Sequence, residues 1–133
     1  MPSLYSSKVK RSYGGILDKG GQMTVTTKRI YEPYAKKDGL RIFVDRLWAR
    51  GLSKEDAHVD IWLKDIAPSD GLRKWFGHDP EKWQEFKKRY KAELKTNEAL
   101  IELKKYARKQ NITLLYGAKD ERHNQAVVLK ELL

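Results

Sequence analysis

Two short apolar runs, Leu40-Arg41-Ile42-Phe43-Val44 and Ile112-Thr113-Leu114-Leu115-Tyr116, constrain this chain more than any other feature. Each has the length of a strand rather than a helix, and each ends in a cluster of polar residues. Amphipathic helical patterns fill most of the sequence between them. Strands that alternate with helices pair in parallel, because the crossover returns the chain to the same end of the sheet. The expected fold is therefore α/β: a small single domain with a mostly parallel sheet of about three to four strands, flanked by helices.

Local signals divide the remainder. Thr24 to Tyr31 is β-branched and partly alternating, so a further strand is expected there, ended by Pro33. Lys37-Asp38-Gly39 is a turn. Ser53 followed by Glu55 and Asp56 marks the start of a short helix through Val59. Ile61-Trp62-Leu63 fits a short strand or a buried loop equally well. Ser69 caps a helix carrying Leu72, Trp75 and Phe76, which Gly77 stops. Asp79-Pro80 places an acid at the N-cap and proline at the first helical position. The helix that follows sets Trp83, Phe86, Tyr90 and Leu94 on one face, a spacing that belongs to the core. Its basic run Lys87-Lys88-Arg89 reads as a solvated face. Asn97 caps the next helix, Asn111 stops it, and Asp120 is the expected cap of the last helix.

The first 22 residues differ from the rest. They are basic and rich in serine and glycine, and they contain no hydrophobic period. They read as a flexible basic extension: a tag remnant, an upstream mis-start before Met23, or a disordered arm. Residues 23–133 form the expected domain.

Composition narrows the chemistry. The chain has no cysteine, which removes disulfides, thiolate nucleophiles and cysteine-ligated zinc, and suits a cytoplasmic location. No apolar run approaches the roughly 18 residues of a membrane helix, so no membrane partner is expected. The net charge of +10 favours anionic partners. An anionic small molecule is the first expectation and nucleic acid the second. A monomer or a two-fold homodimer is compatible with the sequence.

The two strand ends carry the candidate site. The first junction holds Asp45, Arg46, Trp48 and Arg50; the second holds Tyr116, Lys119, Asp120, His123 and Asn124. If the two strands are parallel neighbours, both junctions open on the same edge of the sheet, where α/β domains build sites. Arginine grips carboxylate or phosphate in a bidentate way, and a helix N-terminus adds backbone N–H groups. Histidine titrates near neutral pH, which makes His123 the candidate acid or base. Bland roles compete at each position: Asp45 as a structural ion pair, Trp48 as core or pocket wall, Asp120 as a plain helix cap. The acids and histidines lack ligand spacing, so no metal is expected, and nothing in the sequence points to a cofactor. No glycine-rich phosphate loop or nucleophile elbow is present.

Four motifs recur together: Asp45-Arg46-Leu47-Trp48-Ala49-Arg50-Gly51, Trp62-Leu63-Lys64-Asp65-Ile66-Ala67-Pro68-Ser69, Leu72-Arg73-Lys74-Trp75-Phe76-Gly77-His78-Asp79-Pro80 and Lys119-Asp120-Glu121-Arg122-His123-Asn124-Gln125-Ala126. In this order they resemble the YeaO-like bacterial proteins, a domain of unknown function (number 488). The resemblance covers about Thr26 to Leu133 and implies a compact cytoplasmic bacterial α/β protein. It also implies that Trp62, Lys64, Trp75 and His78 belong with the two junctions in the family pattern. Ala49 stands where the family pattern suggests proline. Other branches of the wider superfamily carry a cysteine at the end of the last strand and a Cys-His-Arg run after it. Here Tyr116 and Asn124-Gln125-Ala126 occupy those places, so thiol or metal chemistry does not carry over.

The function expected from the sequence is a small enzyme, or a binding protein, for an anionic ligand bearing phosphate or carboxylate, nucleotide-like ligands included. Arg46, Arg50 and Lys119 would bind the anion, with Trp48 and Trp62 as walls and Lys64, His78, Tyr116 and Asn124 nearby. His123 would act as acid or base beside Asp45 or Asp120. The alternative is a non-catalytic nucleic-acid-binding module, and a third option is a protein–protein adaptor.

Overall fold

A computed structural model describes residues 23–133; the basic extension assigned to residues 1–22 lies outside the described residues. Four strands form one sheet in the order β1-β4-β2-β3: β1 Val25–Arg29, β2 Leu40–Phe43, β3 Ile61–Trp62 and β4 Ile112–Tyr116. Every adjacent pair is parallel. Five helices connect and cover them: α1 Lys54–Ala57, α2 Asp70–Phe76, α3 Trp83–Leu94, α4 Glu98–Lys109 and α5 Gln125–Leu132. The ambiguous segment at Ile61 is a strand of two residues, because its only sheet neighbour is the edge of β2.

The period of two along the central strands sorts the core into two layers. Leu40, Ile42 and Val44 of the β2 segment and Ile112, Leu114 and Tyr116 of β4 face one side. There they meet Leu72 and Phe76 of α2, Phe86 and Tyr90 of α3, Leu103 of α4 and Leu129 of α5. Phe43 and Leu115 face the other side, under Ala49, Ala57, Trp48 and Trp62. Helix α3 buries Trp83, Phe86, Tyr90 and Leu94, the face its spacing predicts, and the Tyr90 hydroxyl donates to the Ile66 carbonyl at 2.6 Å.

Helix ends follow their caps. Ser53 and Ser69 each accept from the backbone N–H three residues on, and Asn97 from the N–H two residues on. Asp79 caps a single 3-10 turn, Pro80–Lys82, and the α-helix begins only at Trp83. Asp120 is not the cap of α5. That position belongs to Asn124, whose Oδ1 accepts from the Val127 N–H at 3.2 Å. Asp120 instead closes the preceding loop by accepting from the N–H groups of Arg122 and His123. An acid two and three residues ahead of backbone donors makes this Asx-type turn as readily as a helix cap, and the residue types alone do not separate the two.

The one charged residue in the β2 run is fully buried. Arg41, 1% exposed, lies on the Phe43 face and pairs with Asp38 at 2.5 Å. Its other donors reach the carbonyls of Ala57 and His58, both at 2.9 Å. Asp38 also takes Lys28 Nζ at 2.9 Å and the Ala35 N–H at 3.0 Å. This network ties the turn before β2 to β1 and to the end of α1. Gly39 completes that turn at φ 73°, and a Cβ there would collide with the Asn111 carbonyl.

Burial pushes the Asp38 carboxyl up, but hydrogen bonds from Lys28, the Ala35 N–H and Arg41 outweigh it and hold the group below its usual range. The native state therefore favours the ionised form. The resulting stability is present above the unfolded carboxyl value of about 3.9 and is lost as pH falls through the lowered native value. Removing one partner leaves the other charge buried alone. Arg41→Ala should cost about 3–5 kcal/mol in urea unfolding at neutral pH. A loss under about 1 kcal/mol would show that the pair does not anchor the sheet.

Candidate functional site

The β2–β4 pairing determines where the site lies. Phe43 stands opposite Leu115, so Asp45 and Gly117 leave the same edge of the sheet side by side. The Gly117 N–H donates to Asp45 Oδ2 at 2.9 Å, and Gln125 Nε2 donates to Asp45 Oδ1. A Cβ on residue 117 would stand 2.9 Å from Asp45 Oδ2, so only glycine lets the backbone approach this closely. The Trp62 indole N–H donates to the Asp45 carbonyl at 2.8 Å from the β3 side. One aspartate thus joins the ends of three strands and the first turn of α5.

Above this junction lies a cavity of about 500 Å³. Asp45, Arg46, Trp48 and Arg50 line it from the first junction, and His123 and Asn124 from the second. His78 enters from the loop after α2, where it adopts a left-handed φ of 58°. Seven of the twelve sequence candidates therefore share one cavity. The other five lie outside its lining. Trp62 and Lys64 stack on each other, Lys64 Nζ lying 5.1 Å from the indole centre. Tyr116 is 2% exposed and packs in the core. Lys119 is exposed on the loop. Asp120 sits behind His123, with Oδ2 2.8 Å from His123 Nδ1.

The side chains differ in what they have left to offer. The Asn124 side chain caps α5 and donates to the Asp120 carbonyl, which makes it a structural element of the wall. The Trp48 indole N–H donates to the Leu52 carbonyl at 2.7 Å, and its ring meets Trp62 and Phe43 edge-on. Trp48 is thus both core and wall. His123 packs its ring against Trp83 with centroids 5.2 Å apart. Its hydrogen bond, ahead of those from the Arg122 and His123 N–H groups, holds Asp120 below the usual carboxylate range. An ionised Asp120 makes His123 Nδ1 the donor and leaves Nε2 as the ring atom for any ligand contact.

Two groups in the cavity are incompletely satisfied. Arg46 donates from Nη2 to the Ala67 carbonyl at 3.2 Å, while its Nε is buried with no hydrogen-bond partner. Asp45 is half-buried in the cavity wall, accepts from two neutral donors and, among the described residues, has no ion pair. Burial raises its carboxyl to about 6, and the bonds from Gly117 and Gln125 offset only part of that rise.

Arg73, Gln125, Gly117 and Tyr31 also line the cavity. Gln125 and Gly117 carry no local signal of this role, since each becomes part of the site only through contact with Asp45 some eighty and seventy residues away. Arg73 could have been found from its place in the third motif, two residues before Trp75. Among the described residues no group of acids, histidines or cysteines could hold a metal. No helix among them is long and apolar enough to cross a membrane.

A carboxyl raised on folding is the reverse of the Asp38 case. Its proton is bound more tightly in the native state, so its contribution is most favourable at low pH and falls as pH rises from about 4 to about 6. The loss above that window is about 3 kcal/mol on the scale of 1.36 kcal/mol per unit. Asp45→Asn should remove this segment of the stability curve. The check is urea unfolding of both proteins from about pH 4 to about pH 8. A constant difference between the two curves would count against a half-buried, titrating Asp45.

Comparison with known proteins agrees with the four sequence motifs. The Uncharacterized protein YeaO of Escherichia coli (strain K12) is 44% identical over 112 residues, covering 84% of this chain and 97% of its own. The Uncharacterized proteins Rv3073c of Mycobacterium tuberculosis (strain ATCC 25618 / H37Rv) and Mb3100c of Mycobacterium bovis (strain ATCC BAA-935 / AF2122/97) are each 41% identical over 109 residues. Those matches cover 82% of this chain and 92% of each relative. No solved structure matches. The family model described as the Inactive DUF488-N3 subclade matches residues 24–133, from the residue before β1 onward, and the chain belongs to that family.

Proposed function

We propose that this protein binds a small anionic molecule, through a phosphate or carboxylate group, in the cavity at the C-terminal edge of its sheet. The observation that carries this reading is Arg46: a guanidinium in the cavity wall whose Nε is buried without a partner. Burying such a donor is costly unless something accepts from it, and the oxygens of a phosphate or carboxylate are suited to a guanidinium. Arg50 and Arg73 stand at the same cavity and add positive field.

Binding is favoured over turnover by what the wall lacks. Among its residues there is no serine, threonine, cysteine or lysine to act as a nucleophile. Its one hydroxyl, Tyr31, donates to the Arg50 carbonyl at 2.9 Å. The His123–Asp120 pair resembles an oriented base, but the wall offers it no thiol and no hydroxyl besides that of Tyr31, which is engaged by Arg50. The description of the subclade as inactive points the same way.

The nucleic-acid alternative rests on net charge, and the fold engages several of the basic side chains that it would use. Lys28 and Arg41 pair with Asp38, Lys87 and Lys91 with Glu131, and Arg89 with Glu85. Arg29 donates to the carbonyls of Gly117 and Ala118.

Titration with inorganic phosphate at low ionic strength should shift the backbone amide signals of Arg46, Gly117 and Ala118 and saturate. Arg46→Gln should weaken that binding by about ten- to a hundredfold with the fold intact by circular dichroism. Unchanged affinity in the variant would remove Arg46 from the site. Tight binding of single-stranded oligonucleotides that collapses between about 50 and 200 mM salt, with no phosphate effect at the cavity, would favour the alternative.

A further inference from the structure

The cavity places an acceptor among donors. Asp45 is the only carboxylate among the residues that line it, and each of its oxygens already accepts one hydrogen bond, from Gly117 and from Gln125. A carboxylate oxygen has about two acceptor positions, so each keeps capacity for one more donor. Arg46, the next residue, lines the same cavity and has a buried Nε without a hydrogen-bond partner. Arg50 and Arg73 contribute only donors and positive charge toward an anion.

Donors alone do not distinguish oxyanions of equal shape. Sulfate and hydrogen phosphate are both tetrahedral dianions of nearly the same size, and an arginine treats them alike. They differ in one atom: hydrogen phosphate keeps a proton on one oxygen and sulfate keeps none. A fixed acceptor reads that proton. It receives a charge-assisted hydrogen bond from the P–OH group, and it meets the bare oxygen of sulfate with lone-pair and charge repulsion.

We propose that Asp45 is the specificity-determining residue of this site, selecting an oxyanion that keeps a hydroxyl of its own, of the hydrogen-phosphate type, over a fully deprotonated anion of the same shape. This inference rests on the binding function proposed above and adds the class of head group. The geometry supports it in two ways. The Gly117 N–H and Gln125 hold the carboxylate from the protein side, which fixes the direction of its remaining lone pairs. No cation neutralises Asp45 among the described residues, so its acceptor character is not cancelled within the protein.

The test compares inorganic phosphate with sulfate by calorimetry at about pH 8, where phosphate carries one proton and Asp45 is ionised. The wild-type protein should prefer phosphate by at least about tenfold, and Asp45→Asn should bring the two anions within about threefold of each other. Gly117→Ala provides an independent arm: its methyl group would displace the carboxylate while leaving Asp45 in the sequence, and the preference should fall there too. Equal binding of both anions by the wild type overturns the selectivity and leaves the anion cavity standing. A preference retained in both variants also overturns it, by assigning the discrimination to another group. Absence of phosphate binding in the wild type removes the cavity function and this inference together.

Discussion

Parallel pairing of β2 with β4 is the constraint on which the rest of this molecule depends. It sets Phe43 beside Leu115 and so delivers Asp45 and Gly117 to one edge. The two junctions are far apart in sequence, and neither makes a site alone. The first supplies a carboxyl and two arginines. The second supplies the backbone donor and the glutamine that hold that carboxyl in place, together with a histidine in the same wall. Shifting the register by one residue would turn Leu114 and Ile42 out of the main core and separate this constellation.

A buried and a half-buried aspartate show how the same side chain takes opposite roles. Asp38 is surrounded by Lys28, Arg41 and the Ala35 N–H, which together overcome its burial and keep it ionised. Asp45 is half-buried with only neutral donors, and burial prevails. The first belongs to architecture, closing the turn before β2 and satisfying the one arginine that the sheet encloses. The second costs stability where it is ionised. Groups held at such a cost in a cleft are characteristic of sites rather than scaffolds.

Much of the fold was legible because the relevant signals are local. The two apolar runs, the caps at Ser53, Ser69 and Asn97, and the helical spacing of Trp83, Phe86, Tyr90 and Leu94 each act within a few residues. The boundary of the last helix was misplaced for the same reason: Asp120 and Asn124 are both good caps, and only the loop geometry decides between them. The candidate cavity was legible in outline, since seven of the twelve candidate residues line it. Trp62 and Tyr116 were not separable from cavity residues in the sequence, because an aromatic at a strand end can face the loop or the core. Gln125 and Gly117 were invisible for a deeper reason. What they contribute is an approach to Asp45, and that exists only once the sheet has closed.

The second wall of the cavity carries one more consequence. From Asp120 to Asn124 the chain is held by its own hydrogen bonds: the Asp120 carboxylate on two backbone N–H groups and a histidine ring, the Asn124 amide on a carbonyl and a helix end. Trp83 braces the histidine from the helix behind. A loop fixed in this way has little ordering entropy left to lose, so a ligand meeting this wall would dock onto a preorganised surface rather than have the chain fold around it.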